Sequence, residues 1–376
     1  MSYYFDHNSS TFVDPRVLER FLLIEERHHA NSHSLHGAGR QARAVIEQAR
    51  EEIGESLDLD PKGVIFLSGG TEANNLAIQG SGDQQLPVLL APTEHPSVFD
   101  ACAERGRVLW DVDGGGAAKI VAPNQPVGLI CLVHGQNEVG TLQAIEEAAQ
   151  LADQLRVPMH TDASQSLGRV RLRSAIQVST SITLSGHKAG GLRGSGVLIA
   201  RDRQAIRPML HGGAQEGGAR PGTQSPGLIA ATALAIRLAV EEQPARAAAM
   251  RSAREAFLAS LAKTPEVSQL TPENSLPNTL MLGFTGIEGR SLLPALDLAG
   301  VEASQGSACA AGSPSPPQIL AAMGLSDEEA RCCVRFSFSH RTSAEEAGDG
   351  GLLVAKVVAH LRGSNTQRNF FGKGPA

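Results

Sequence analysis

From residue 63 onward, short apolar runs take turns with helix-period segments, and this rhythm limits the fold more than any other feature of the chain. "GVIFLS" (63–68) precedes "TEANNLAIQG" (71–80), "PVLLA" (87–91) precedes "HPSVFDACAE" (95–104), and "VGLICLV" (127–133) precedes "AIEEAAQLADQL" (144–155). The strand runs are apolar throughout rather than alternating, which is the pattern of a mainly parallel sheet covered by helices on both faces. Two helices are expected before it. One has Asp14 as N-cap and Pro15 at its first position, and the other covers "GRQARAVIEQAREEIGESL" (39–57).

Further on the rhythm breaks. "SITLS" (181–185) and "GVLIA" (196–200) flank the glycine-rich "GHKAGGLRGSG" with no helix between them, and two long helical segments follow near 225–263. "TLMLGF" (279–284), a helix near 289–299, the run "CCVRFSF" (332–338) and a helix near 343–362 then describe a smaller α+β unit. The expected division is a large α/β domain over 14–255 and a small α+β domain from 1–13 and 256–362. Residues 363–376 form an unpatterned tail. At 376 residues, two domains match the usual domain size.

The net charge of −6 gives no basic patch for nucleic acid or an anionic membrane, and no apolar run reaches the ~18 residues of a membrane span. The N-terminus lacks a secretory pattern. The five cysteines (Cys102, Cys131, Cys309, Cys332 and Cys333) are odd in number and scattered, with no CxxC pair. That argues against a disulfide framework or a metal site and for a soluble, cytoplasmic protein. Cys332 and Cys333 sit in an apolar run and read as buried strand cysteines.

Several loops hold chemistry-bearing residues. "SGGTEANN" (68–75) joins a strand to a helix, so its backbone N–H groups and the Thr71 hydroxyl offer an anion site; taken alone it also reads as a plain turn capped by Thr71 or Ser68. It fits neither a Walker A nor a dinucleotide fingerprint. Lys188 follows the strand "SITLS" among glycines, where a desolvated amine has room to form a Schiff base; a solvated loop lysine is the bland alternative. Asp162, after "VPMH", offers a carboxylate to a protonated ring nitrogen or else caps a turn. His95, after "PVLLA", can stack on a flat ring or merely start a helix. Phosphate cup, ring stack, nitrogen partner and Schiff-base lysine thus occur in order at the strand ends of one α/β unit, where open sheets bind ligands. Cys309 lies in "SQGSACAAGS" (304–313), among small residues that present a thiol rather than pack it.

Ordered motifs nearly from end to end carry a family resemblance. "YFDHNSST", "NSHSLHGAGRQAR", "SGGTEANNLAI", "TEHPSV", "NEVGT", "HTDASQSLG", "SGHKAGGLRGSG", "GGAQEGGARPGT", "SQGSACAAG" and "VRFSFSHRTSAEE" together resemble the cysteine desulfurases of the NifS/IscS type, pyridoxal-phosphate enzymes of fold type I. The resemblance implies that Lys188 forms the Schiff base, His95 stacks on the ring and helps shuttle protons, Asp162 pairs with the ring nitrogen and Gln165 contacts the phenolic oxygen. It further implies that Asn137 supports ring and substrate, and that Gly70, Thr71, Ser185 and His187 cradle the phosphate. Thr223 would reach that phosphate from a neighbouring subunit, implying a homodimer. Arg335 would clamp the carboxylate of L-cysteine, and Cys309 would take its sulfur as a persulfide for an acceptor protein in iron–sulfur cluster, thio-cofactor or tRNA synthesis. The loop around Cys309 supplies no base of its own, so activation is expected only when the loop swings in near His95. Gln136, the "HNSST" run and Ser343 depart mildly from the family pattern. A selenocysteine lyase or other β-eliminating lyase on the same scaffold, and a scaffold protein without activity, are the alternative expectations.

Overall fold

The computed structural model describes residues 2–306 and 317–371, with side chains through residue 363. Its main sheet has seven strands in the order Val64–Leu67, Gly196–Ala200, Ser181–Ser185, Met159–Asp162, Leu129–Cys131, Val88–Leu90 and Arg107–Leu109. Gly196–Ala200 runs antiparallel to both of its neighbours, and the remaining pairs are parallel. The hairpin-like return over 186–195 is therefore what makes the sheet mixed. The apolar runs read as strands are all strands, and six of the sheet's seven strands are buried at every residue. This is the two-sided burial that their lack of alternation requires.

The helix Pro15–Arg27 begins as expected, with the Asp14 side chain accepting from the Arg16 N–H and proline in its first turn. Helices Gly37–Leu57 and Pro226–Glu241 pack together against the sheet, and their apolar faces join Phe66, Ile130, Leu132 and Ile182 in the largest apolar cluster. "HPSVFDACAE" is shorter than expected. It forms one helical turn over Pro96–Phe99 and a 3-10 turn over Asp100–Cys102. The last helix is longer. It runs from Ala344 to Phe371, into the segment read as an unpatterned tail, because extending a formed helix costs little per residue and no proline stops it before 371. No helix among the described residues is long and apolar enough to cross a membrane.

A second, three-stranded antiparallel sheet has Thr279–Phe284 between Cys333–Ser337 and Val267–Gln269. Its core is aromatic. Phe257 packs at 4.7 Å from Phe336 and 5.4 Å from Phe5 between ring centroids, within a cluster that also holds Phe284, Phe338, Val354 and Val358. Cys332 and Cys333 are buried free thiols here, and Cys333 Sγ donates to the Glu329 carbonyl at 3.3 Å. The N-terminal Tyr3–Tyr4 pairs in parallel with Val301–Glu302, and Asp6 bridges to Ser337. That anchoring carries residues 6–9 to the C-terminal ends of the main sheet's parallel strands, where the chemistry-bearing loops gather.

Candidate active site

A cavity of about 360 Å³ opens at those strand ends. It is lined by Gly70, Thr71, His95, Asn137, Asp162, Gln165, Ser185, His187, Lys188 and Arg335, so ten of the twelve residues singled out from the sequence converge on one space. The other two do not line it. Thr223 is exposed on the segment before the helix Pro226–Glu241. Cys309 lies outside the described residues, although Gly306, three residues before it, lines the cavity.

One end of the cavity is built to receive an anion. The helix Gly70–Gly80 starts there, and Gly69 takes the N-cap position with no side chain capping the first turn, so neither Thr71 nor Ser68 is the cap. The first N–H groups of the helix lack intrahelical partners and carry its positive dipole end. Beside them Ser185 Oγ and His187 Nδ1 lie 3.0 Å apart. Burial, with Lys188 and Arg193 nearby, lowers the His187 pKa to about 4. The backbones meet closely here: a Cβ on Gly196 would fall 2.4 Å from the carbonyl carbon of Gly69, so only glycine lets the strand approach the loop.

At the centre Lys188 donates from Nζ to the carbonyl of Ser9 at 2.6 Å and to that of Asn8. Desolvation, then Arg169 and Arg335, lower its pKa to about 8. Asp162 closes one sheet strand, with Oδ1 accepting from the Ser164 N–H at 2.9 Å and Oδ2 from Asn74 Nδ2 at 2.8 Å. Arg335 is not an open clamp. Its two terminal nitrogens donate to Asp6 Oδ1 (2.8 Å), Ser9 Oγ (2.9 Å), Glu138 Oε2 (3.0 Å) and the Asn137 carbonyl (3.0 Å).

Several working residues escaped the sequence reading. Asn8 is a hub: its amide donates to Thr279 Oγ1 (2.9 Å) and the Asn137 carbonyl (3.0 Å), and its Oδ1 accepts from Arg169 (3.0 Å) and Asn278 (2.9 Å). Arg169 is buried, and its hydrogen bonds reach the uncharged oxygens of Asn8, Gln165 and His7. Burial and the charge of Arg335 lower its pKa to about 9. Because Arg169 holds Gln165 Oε1, the Gln165 amide nitrogen is the end left to donate, and it meets the Asn8 carbonyl at 2.9 Å.

The site fits pyridoxal 5′-phosphate on its own chemistry. Uncapped helix N–H groups with Ser185 suit the phosphate, a buried carboxylate suits a ring nitrogen, and a desolvated amine suits the aldehyde. The comparisons agree. The aminotransferase class-V family model matches residues 3–348. The chain is 32% identical to cysteine desulfurase IscS of Serratia proteamaculans over 391 aligned positions, covering 99% of this chain and 96% of that one. Among solved structures, a NifS-like protein from Rickettsia africae superposes with a TM-score of 0.86 at 26% identity, covering 96% of this chain and all of that one. SspA in complex with cysteine superposes with a TM-score of 0.78 at 30% identity, covering 90% and 99% respectively.

Proposed function

The chain belongs to the aminotransferase class-V family, and from that premise we propose that it converts L-cysteine to L-alanine and holds the released sulfur as a persulfide on Cys309. It is a pyridoxal-phosphate-dependent cysteine desulfurase of fold type I. When bound, the cofactor supplies an electron sink for bonds broken at the substrate's α-carbon.

The chain's own residues do the rest. Gly70, Thr71, Ser185 and His187 hold the phosphate, Asp162 holds the ring nitrogen, Gln165 donates to the phenolic oxygen, and His95 covers the ring. Lys188, with a pKa near 8, is an amine that can carry the substrate's α-proton near neutral pH. Arg335 and Asn137 receive the substrate carboxylate, which exchanges with Asp6 or Ser9 at the guanidinium. The Cys309 thiolate then forms an S–S bond to the substrate sulfur as the C–S bond breaks. The electron pair stays with the carbon that, once protonated, becomes the methyl group of alanine.

The observation that best supports Cys309 is that Gly306 lines the cavity of Lys188. Cys309 follows Gly306 by three residues in the sequence, and three residues span at most about 11 Å. Mass spectrometry after cysteine treatment tests the assignment. Added sulfur on Cys309, lost together with alanine formation in Cys309→Ala, is expected, and alanine formation at the parental rate in that variant rejects it.

The exposed Thr223 fits a contribution to the phosphate of a second copy, making the enzyme a homodimer. Sedimentation of the holoenzyme as a monomer rejects this. The division near residue 255 is supported by a separate aromatic cluster whose members, Ala253 apart, all lie in 1–13 and 256–362. The persulfide's acceptor is a protein, in iron–sulfur cluster, thio-cofactor or tRNA synthesis. Transfer of labelled sulfur from Cys309 to purified candidate acceptors distinguishes these.

A further inference from the structure

An uninterrupted line of hydrogen bonds joins Asp162 to His95 through two residues that the function has not used, Asn74 and Ser97. Asn74 Nδ2 lies 2.8 Å from Asp162 Oδ2 and 2.9 Å from Ser97 Oγ. Ser97 Oγ lies 2.8 Å from His95 Nδ1, and the Ser97 backbone N–H donates to the same nitrogen at 3.1 Å. On the far side Asn74 Oδ1 lies 3.1 Å from His160 Nε2, and His160 Nδ1 lies 2.9 Å from Ser181 Oγ.

The direction of every bond follows from its neighbours. A carboxylate only accepts, so the nitrogen of the Asn74 amide faces Asp162, and its second hydrogen goes to Ser97 Oγ. That oxygen is thereby an acceptor with one lone pair to spare, and the backbone settles its bond to the ring: the Ser97 N–H donates to His95 Nδ1, which leaves that nitrogen bare and makes the hydroxyl the donor. His95 Nδ1 then accepts twice, from the hydroxyl and from the backbone, and the ring's proton belongs on Nε2. The far side agrees. Asn74 Oδ1 needs a donor, which makes His160 an Nε2–H tautomer whose Nδ1 accepts from Ser181, and burial keeps His160 uncharged with a pKa of about 4.

We propose that Asn74 and Ser97 are positioning residues that lock His95 in the Nε2–H tautomer, so that His95 serves the reaction as a fixed hydrogen-bond donor and Lys188 carries the protons. To act as a base at Nε2, His95 would need its proton on Nδ1, against the fixed Ser97 backbone N–H and with the hydroxyl turned round. This rests on the reading that His95 stands beside the cofactor, and it replaces the shuttling role that the resemblance implied.

The test is 15N NMR of the holoenzyme labelled at its twelve histidines, with the His95 signals assigned by their loss in His95→Gln. Wild type is expected to show a bare Nδ1 and a protonated Nε2. Ser97→Ala removes the hydroxyl donor and keeps the backbone one, so a partial rise of the Nδ1–H form is expected, with a fall in kcat of up to about five-fold, the size of one hydrogen bond, and KM for cysteine unchanged. Ser97→Thr restores both. His95→Gln, which keeps an N–H donor, is expected to retain at least ten times the kcat of His95→Ala. A protonated Nδ1 in wild type, an unchanged His95 spectrum in Ser97→Ala, or equal loss in His95→Gln and His95→Ala overturns the proposal. Parental kcat in His95→Ala instead removes His95 from the reaction, whatever the spectrum shows.

Discussion

Replacing Arg169 with methionine should raise the Lys188 pKa and slow the capture of the cofactor at neutral pH. A lysine amine ordinarily titrates near 10.5; here burial, Arg169 and Arg335 bring it to about 8. At pH 7 a pKa of 8 leaves about one molecule in eleven with a neutral amine, against roughly one in three thousand at 10.5. Both cations touch Asn8, Lys188 at the backbone carbonyl and Arg169 at Oδ1. Unit charges ~10 Å apart at an effective dielectric of about 20 repel by about 1.7 kcal/mol, a factor of ~16 in the protonation equilibrium. The sign is fixed. A lysine with a lowered folded pKa opposes folding at pH values below about 8, and this relaxes as pH rises toward 10.5. Removing the neighbouring charge moves the folded pKa upward. The assay is the rate at which apoprotein gains lysine-bound cofactor absorbance, followed from pH 6 to pH 10. The midpoint should move upward in Arg169→Met and stay in place in Arg169→Lys, which keeps the charge. An unmoved midpoint in a folded Arg169→Met that still binds cofactor would refute the electrostatic role.

Three other outcomes are expected. Gly196→Ala forces apart the Gly69 backbone, which a new Cβ would meet at 2.4 Å; it should cost about 1–3 kcal/mol in denaturant unfolding and weaken cofactor binding by equilibrium dialysis. Phe257→Ala, at the centre of the aromatic cluster, should cost about 3–5 kcal/mol in the same unfolding experiment. Glu216→Ala removes the carboxylate that Arg50 and Arg203 share at 3.0 and 3.2 Å and that Gln224 also holds; leaving Arg50 buried without it should cost about 3–5 kcal/mol by thermal and chemical denaturation.

The sheet was legible because its signal is local. Each apolar run is long enough to be buried at every position, and each is followed by a helix or a loop of marked composition. The antiparallel strand Gly196–Ala200 was foreshadowed by the missing helix before it. Elements of a few residues, such as the edge strand Arg107–Leu109 and the helix Arg173–Val178, carry too little periodicity to read. At the site, residues on strand-end loops could be read because their types carry chemistry. Asn8 and Arg169 could not, since their work depends on contacts made across 161 positions of sequence.

Arg169 shows why such residues hide. A buried guanidinium bonded to uncharged oxygens is costly for folding, and nothing in "SLGRVRLR" separates Arg169 from the two arginines that follow it. Its cost has an outlet only in three dimensions, where its charge lowers the Lys188 pKa and its donors fix the direction of the Gln165 amide. Arg335 makes the converse case. Its motif was evident, but Asp6 and Glu138 hold it from two sides, so a carboxylate proposed to bind there would compete with carboxylates of the chain. Burial, with the charges of Arg169 and then Arg335 beside it, is what brings the Lys188 pKa to about 8. Lys188 therefore loses its proton more readily than an ordinary lysine amine, chiefly because it is buried.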